Sequence, residues 1–168
     1  MRKLSFYSHS SDETIDFAKN ISSFLKQGDV VGLFGELGSG KTTFVKGLAK
    51  GLGLKAKINS PSFVILKIYT FIKNRSLQKK IIPLFHFDLY RLNSLKELES
   101  IGYEDFIYDT GVCVIEWADR ANSLLPKDYL KIRIQIKGKD SRSIILAGYG
   151  LRYGSLVNRI KRCCKRIK

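Results

Sequence analysis

The sequence predicts an α/β fold of the phosphate-loop NTPase kind, a single domain with a central sheet and antiparallel hairpins at its edges. Three observations carry that expectation. Residues Gly35, Glu36, Leu37, Gly38, Ser39, Gly40, Lys41 and Thr42 fit G-x-x-x-x-G-K-[ST], the pattern of a phosphate-binding loop. The run Val30–Phe34 before it is short, apolar and β-rich, as a buried strand is. After it, residues 43–52 place Phe44, Val45, Leu48, Ala49 and Leu52 at helical spacing, and Gly53 follows as a stop. Strand, glycine loop and helix come in the order the motif needs.

The other elements follow along the chain. Leu4 and Phe6 mark a short first strand. Ser10 and Glu13 form a capping box for a helix reaching about Lys26, with Ile15, Ala18, Ile21, Phe24 and Leu25 on its buried side. Past the loop helix, residues 58–62 form a polar connector held extended by Pro61. Residues 63–72 and 81–89 read as a long hairpin whose tip is basic at Lys73, Arg75, Lys79 and Lys80. Ser94 opens a capped helix ending near Gly102, and a second short helix covers residues 103–108. Residues 112–116 form an apolar strand, and 117–125 a helix stopped by Pro126. Residues 129–137 and 142–147 pair around the turn at 138–141. Alternation of strands and helices gives α/β, with antiparallel additions at the edges.

Composition sets the outer limits. The 168 residues suit one domain, 44% of them are hydrophobic, and no segment approaches the length of a membrane span. The N-terminus lacks the apolar core of a signal peptide. Cys113, Cys163 and Cys164 have no metal-ligand spacing and read as reduced thiols of a cytoplasmic protein. The net charge of +15 points to an anionic surface or polymer among the working partners, with a proteome-wide lysine bias as the alternative source of part of the excess. Acidic residues stop at Asp140 while Arg and Lys continue to Lys168.

The loop implies a nucleoside triphosphate. Its glycines let backbone N–H groups turn toward phosphate oxygens, and the helix N-terminus favours the same anion. Lys41 is expected to reach the β- and γ-phosphates and the Thr42 hydroxyl to ligate Mg²⁺. A carboxylate must complete the metal shell, and two strands end in one: residues 84–87 deliver Asp88, and residues 112–115 deliver Glu116. His86 shares the strand face of Asp88 and reads as a packed residue. Trp117 reads as core, with a base or a partner as its other uses. The Asn-Lys-x-Asp base-reading element of GTPases is absent. A small-molecule kinase and a non-hydrolysing nucleotide sensor stay open.

Four groups of residues then converge. The stretches "GELGSGKTTFVKGL", "SPSFVI", "HFDLYRL" and "VIEWADR" occur in that order, and the chain from Ser11 to about Ala147 resembles the TsaE (YjeE) family. The resemblance implies an ATPase, binding ATP with Mg²⁺, that serves the bacterial threonylcarbamoyladenosine modification of tRNA. Its implied partners are TsaD and TsaB, whose assembly it resets between turnovers by ATP hydrolysis. It implies catalytic roles for Lys41, Asp88 and Glu116, and metal binding by Thr42, Glu116 and Asp88. It further implies nucleotide contacts from residues 35–43 of the loop, Thr43 included, and from Trp117, Arg142 and Thr14. Two departures are visible: Glu36-Leu37-Gly38-Ser39 stands where the family commonly has Asp-Leu-Gly-Ala, and Ser62 replaces a threonine but keeps its hydroxyl.

The resemblance ends before the C-terminus. The reading divides the chain into an ATPase domain, 1–150, and a basic amphipathic helix or tail, 151–168. Ser155 caps the expected helix, with Leu156, Val157, Ile160, Cys163, Cys164 and Ile167 on one face and Arg159, Lys161, Arg162, Lys165 and Arg166 on the rest. The helix either docks with its cations solvated or offers a basic face to tRNA phosphate; the same pattern also suits a membrane-surface helix, but no lipidation signal accompanies it and no membrane partner is expected.

Overall fold

Short apolar runs, bounded by turns, build a seven-stranded sheet in the order β1-β7-β6-β2-β5-β4-β3. The strands are β1 (Lys3–Ser8), β2 (Val30–Phe34), β3 (Leu66–Tyr69), β4 (Leu84–Asp88), β5 (Val112–Glu116), β6 (Leu130–Ile136) and β7 (Arg142–Gly148). The computed structural model describes residues 2–61, 64–70, 82–107 and 110–164. β6, β2, β5 and β4 run parallel, whereas the edge pairings, β7 with β6, β1 with β7 and β3 with β4, are antiparallel. This is the expected central sheet with antiparallel edges. β2, β4 and β5 are buried along their whole length, which is why they are mainly apolar on both faces, the exceptions being His86, Asp88 and Glu116.

Helices cover both faces. On one lie α1 (Ser11–Ser22), α2 (Lys41–Gly51) and α5 (Gly150–Cys164), packing Phe17, Ile21, Phe44, Leu48, Leu156 and Ile160 against Leu33, Val114, Ile132 and Leu146. On the other lie α3 (Leu95–Ser100), α4 (Tyr103–Ile107) and a 3-10 helix (Ala118–Leu124), packing Leu98, Tyr103 and Ala118 against Phe85, Phe87, Cys113 and Ile115. α1 and α2 touch at Gly47, where a Cβ would fall on the Ile15 carbonyl oxygen and 2.6 Å from Ala18 Cβ. Gly47→Ala should therefore force the helices apart and cost about 1–3 kcal/mol. A melting temperature equal to the parent's would show that the contact yields freely.

Several boundaries differ from expectation. The capping box forms, Ser10 Oγ accepting from Glu13 N at 3.1 Å, but the Glu13 carboxylate takes the N–H of His9, at 2.8 Å. α1 stops at Ser22 rather than near Lys26, because Ser22 and Ser23 hydroxyls turn back onto the carbonyls of Lys19 and Asn20. Leu25 is still buried, packing from the turn rather than from the helix. Ser94 occupies the N-cap of α3 without a side-chain cap bond. Residues 118–124 wind as 3-10 helix, kinked at Ala121. The basic tip expected at residues 73–80, and Ser62, lie outside the described residues.

The C-terminal helix begins at Gly150, so Ser155 is an interior residue rather than its cap. Tyr153, Leu156, Val157 and Ile160 join the core beside α1 and β7. Cys163 is exposed rather than on the buried stripe; the Cys164 side chain, Lys165, Arg166, Ile167 and Lys168 lie outside what is described. Polar anchors fix the helix. Val30 N donates to Tyr153 Oη at 2.8 Å, and burial, opposed in part by that bond, raises the phenol to about 12. The buried Asp29 carboxylate accepts from Lys26 N at 2.7 Å and from the Arg152 guanidinium. Among the described residues no helix is long and apolar enough to cross a membrane.

Candidate active site

Side chains alternate along a strand, so Leu84, His86 and Asp88 share one face of β4, and Val112, Val114 and Glu116 share one face of β5. The register sets Asp88 beside Glu116 and His86 beside Val114, which delivers all three polar groups to the face that α2 covers. β2, parallel to β5, ends at the same level and enters the glycine loop. A cavity of about 400 Å³ opens there, lined by Leu37, Gly38, Gly40, Lys41, Thr42, Thr43, Ser60, Asp88, Tyr90, Arg91, Glu116 and Trp117. It lies at the carboxyl ends of parallel strands, where open α/β sheets bind ligands.

Two glycines of the loop are required for distinct reasons. Gly40, the residue before α2, has φ 102° and leaves that helix N-terminus without a side-chain cap. At Gly35 a Cβ would fall on the Ile134 carbonyl oxygen and lie 2.8 Å from Ser39 Oγ. Ser39 Oγ is itself buried, with no hydrogen-bond partner among the described residues. Lys41 Nζ spans the loop, donating to the carbonyls of Gly35 at 2.8 Å and Glu36 at 3.0 Å. An ammonium carries three N–H donors, so one is left for a ligand. The same nitrogen lies 3.6 Å from the centre of the Trp117 ring. Burial lowers the Lys41 pKa, against the opposing pull of Glu116, Asp88, Asp119 and Glu36.

Glu116 joins two partners. Thr42 Oγ1 stands 2.9 and 3.0 Å from its two carboxylate oxygens, and His86 Nε2 stands 2.8 Å from Oε1. His86 is fully buried, and its Nδ1 has no partner among the described residues. Asp88 accepts from Tyr90 N at 3.0 Å and from the Ser60 hydroxyl. Trp117 adopts the left-handed conformation at φ 57°, uncommon for so large a side chain, which starts the 3-10 helix immediately after Glu116. Its ring is only partly buried and packs against Tyr90 with centroids 5.0 Å apart.

Two residues linked to the nucleotide by resemblance are not among those lining the cavity. Arg142 is tied to the loop: its guanidinium donates to Ser39 O at 3.0 Å and Gly38 O at 3.2 Å, and to the carbonyls of Gly138, Lys139 and Ser141. Thr14, 2% exposed, is tied to Ser8 Oγ at 2.8 Å and Ser10 O at 3.2 Å, and is not among the residues lining the cavity. Sequence reasoning passed over Ser60 and set His86 aside as packing. The period-2 link to Asp88 was the available signal for His86, and a place at the head of the "SPSFVI" stretch for Ser60, although the partner of Ser60 lies 28 residues further on.

The donor set fits a magnesium–triphosphate ligand. Among the described residues no group of three or more His, Cys, Asp and Glu could hold a metal on its own. Mg²⁺ is usually held by one or two carboxylates plus substrate phosphates, and Thr42, Glu116 and Asp88 beside the loop match that pattern. Open space beside Gly38 and the partnerless Ser39 hydroxyl are consistent with an anion in the loop.

Sheet, loop and carboxylates together define a phosphate-loop α/β protein. The family model described as threonylcarbamoyl adenosine biosynthesis protein TsaE matches residues 8–144. The chain belongs to the TsaE family. The tRNA threonylcarbamoyladenosine biosynthesis protein TsaE of Bacillus subtilis is 38% identical over 162 residues, which cover 96% of each chain. Its namesake in Treponema pallidum is 39% identical over 140 residues, covering 83% of this chain and 97% of that one. The crystal structure of Bacillus subtilis YdiB superposes with a TM-score of 0.78 at 34% identity, covering 96% of this chain and 95% of the other.

Proposed function

We propose that this chain binds ATP with Mg²⁺ and hydrolyses it as a component of the tRNA threonylcarbamoyladenosine machinery, resetting a TsaD–TsaB assembly between turnovers in the cytoplasm. The observation that carries the reading is the contact chain Thr42–Glu116–His86 set beside Lys41 at the loop. Residues 35–43 hold the phosphates, with Lys41 as the loop's side-chain cation. Thr42, Glu116 and Asp88 hold the metal, which when bound draws charge from the phosphoryl oxygens. Glu116 Oε2, which shares the Thr42 hydroxyl with Oε1 but not the His86 ring, orients water, while His86 holds the carboxylate through Oε1. Residues 1–150 carry this activity, and α5 completes their core.

The test is reconstitution. Modification of tRNA by TsaD and TsaB should require this chain and ATP, with ATP turnover higher in the mixture than with the chain alone. Full modification without the chain, or no turnover in either setting, overturns the reading. His86 supplies a finer prediction. His86→Leu should slow hydrolysis roughly tenfold to a hundredfold through a misplaced carboxylate. ATP affinity should stay close to the parent's, and His86→Gln, which keeps an N–H donor, should recover part of the rate. Equal rates in the Leu variant and the parent would make His86 a packing residue only.

A further inference from the structure

Between Glu36 and Asp88 the chain contains no aspartate or glutamate. Lys46 and Lys50 fall four residues apart on α2, hence on one face of it. The strand-bound chain leaving α2 brings Lys55 and Lys57 alongside, and the four surround an open groove of about 310 Å³. Leu54 and Ile58, nearly buried, also line it, and no carboxylate does. All four lysines are exposed, and among the described residues none is ion-paired.

Four cations held around one concavity without a counter-charge repel one another in the folded state, and an anion relieves that repulsion. Lysine is depleted in protein–protein interfaces, whereas nucleic-acid interfaces are polar and strongly positive. The groove's exposed groups are ammoniums on flexible stems, suited to following phosphates rather than to reading a shaped surface. The C-terminal helix is a poorer site. Arg152 is committed to Asp29 and Arg159 lies over the Phe24 ring, which leaves Lys161 and Arg162 among its described residues.

We propose that the groove of Lys46, Lys50, Lys55 and Lys57 binds the phosphate backbone of RNA. The choice of tRNA as probe rests on the function proposed above; the groove's affinity for phosphodiesters does not. The experiment measures binding of an unmodified tRNA transcript to the full chain over roughly 50 to 200 mM salt. Each lysine that neutralises a phosphate contributes about 0.7–0.9 to the slope of log K against log salt. With all four changed to glutamine the slope should flatten by about three and low-salt affinity should fall tenfold or more. Lys46→Gln with Lys50→Gln, or Lys55→Gln with Lys57→Gln, should each give about half of that. ATP affinity should stay at the parent's value, which also reports that the variants are folded. A parental slope in the fourfold variant overturns the proposal, as does a parent that does not bind tRNA at the lowest salt. So does a variant that keeps the tRNA slope but loses association with TsaD–TsaB, which would make the groove a protein contact. Flattening by Lys161→Gln with Arg162→Gln, and not by the changes at Lys46, Lys50, Lys55 and Lys57, overturns it in favour of the C-terminal helix. Failure of the reconstitution would remove the proposed pathway role while leaving the salt slope to be judged separately.

Discussion

Lys41→Ala should weaken ATP binding about a hundredfold, the loss expected when charge-assisted hydrogen bonds worth about 1.5–3 kcal/mol each lose their donor. Lys41 is the side-chain cation of the loop, and its ammonium is positioned by two backbone carbonyls and the Trp117 ring. Removal also leaves Glu116 and Asp88 facing the incoming phosphates without the cation that offsets them. Lys41→Arg should not restore affinity. A planar guanidinium cannot take the point position between the Gly35 and Glu36 carbonyls that a compact ammonium fills. Calorimetric titration with ATP is the measurement, with thermal melting alongside to show that both variants fold. Unchanged affinity in the Ala variant would remove Lys41 from the phosphate site.

Glu116→Gln should separate binding from hydrolysis. The amide keeps the shape of the side chain and a carbonyl for Thr42 or His86, both within about 3 Å of it. It lacks the charge that a metal shell and an activated water need. Loss of general-base catalysis costs roughly 10²–10⁴ in rate, so turnover with the partner proteins should fall at least a hundredfold. ATP affinity should change far less, because the loop's backbone N–H groups and Lys41 are untouched. Asp88→Asn should give a smaller loss, since that carboxylate is already engaged by Ser60 and by Tyr90 N. Equal turnover in Glu116→Gln and the parent would return Glu116 to a structural role and leave Asp88 as the acid.

How much of this site was legible depended on how far apart its parts lie in sequence. The loop residues 35–42 are contiguous, so their pattern and their flanking strand and helix could be read directly. Asp88 and Glu116 could be found because each closes an apolar run, and acids at strand ends collect on one edge of a parallel sheet. The His86 contact with Glu116 could not, because it joins residues 30 apart through a register only the sheet sets. Thr14 shows the converse. Its place in the first helix was readable, but its hydroxyl is turned toward Ser8 and Ser10 by the junction of β1 and α1.

The sequence by itself determined the α/β class, the loop, the two carboxylates and the strands that present them, because each is encoded in a local run of residues. It also marked the C-terminal stretch as an amphipathic helix with a basic face. Only the tertiary structure decided where that helix begins and what its charges do. Its start at Gly150 follows from β7 ending at Gly148, and Arg152 is drawn to Asp29, 123 residues earlier. It likewise gathered four lysines from a helix and the chain after it around one groove. Periodicity records which face of an element is apolar; it does not record which distant group will meet that face. That is fixed by strand order and register, which the whole chain settles together.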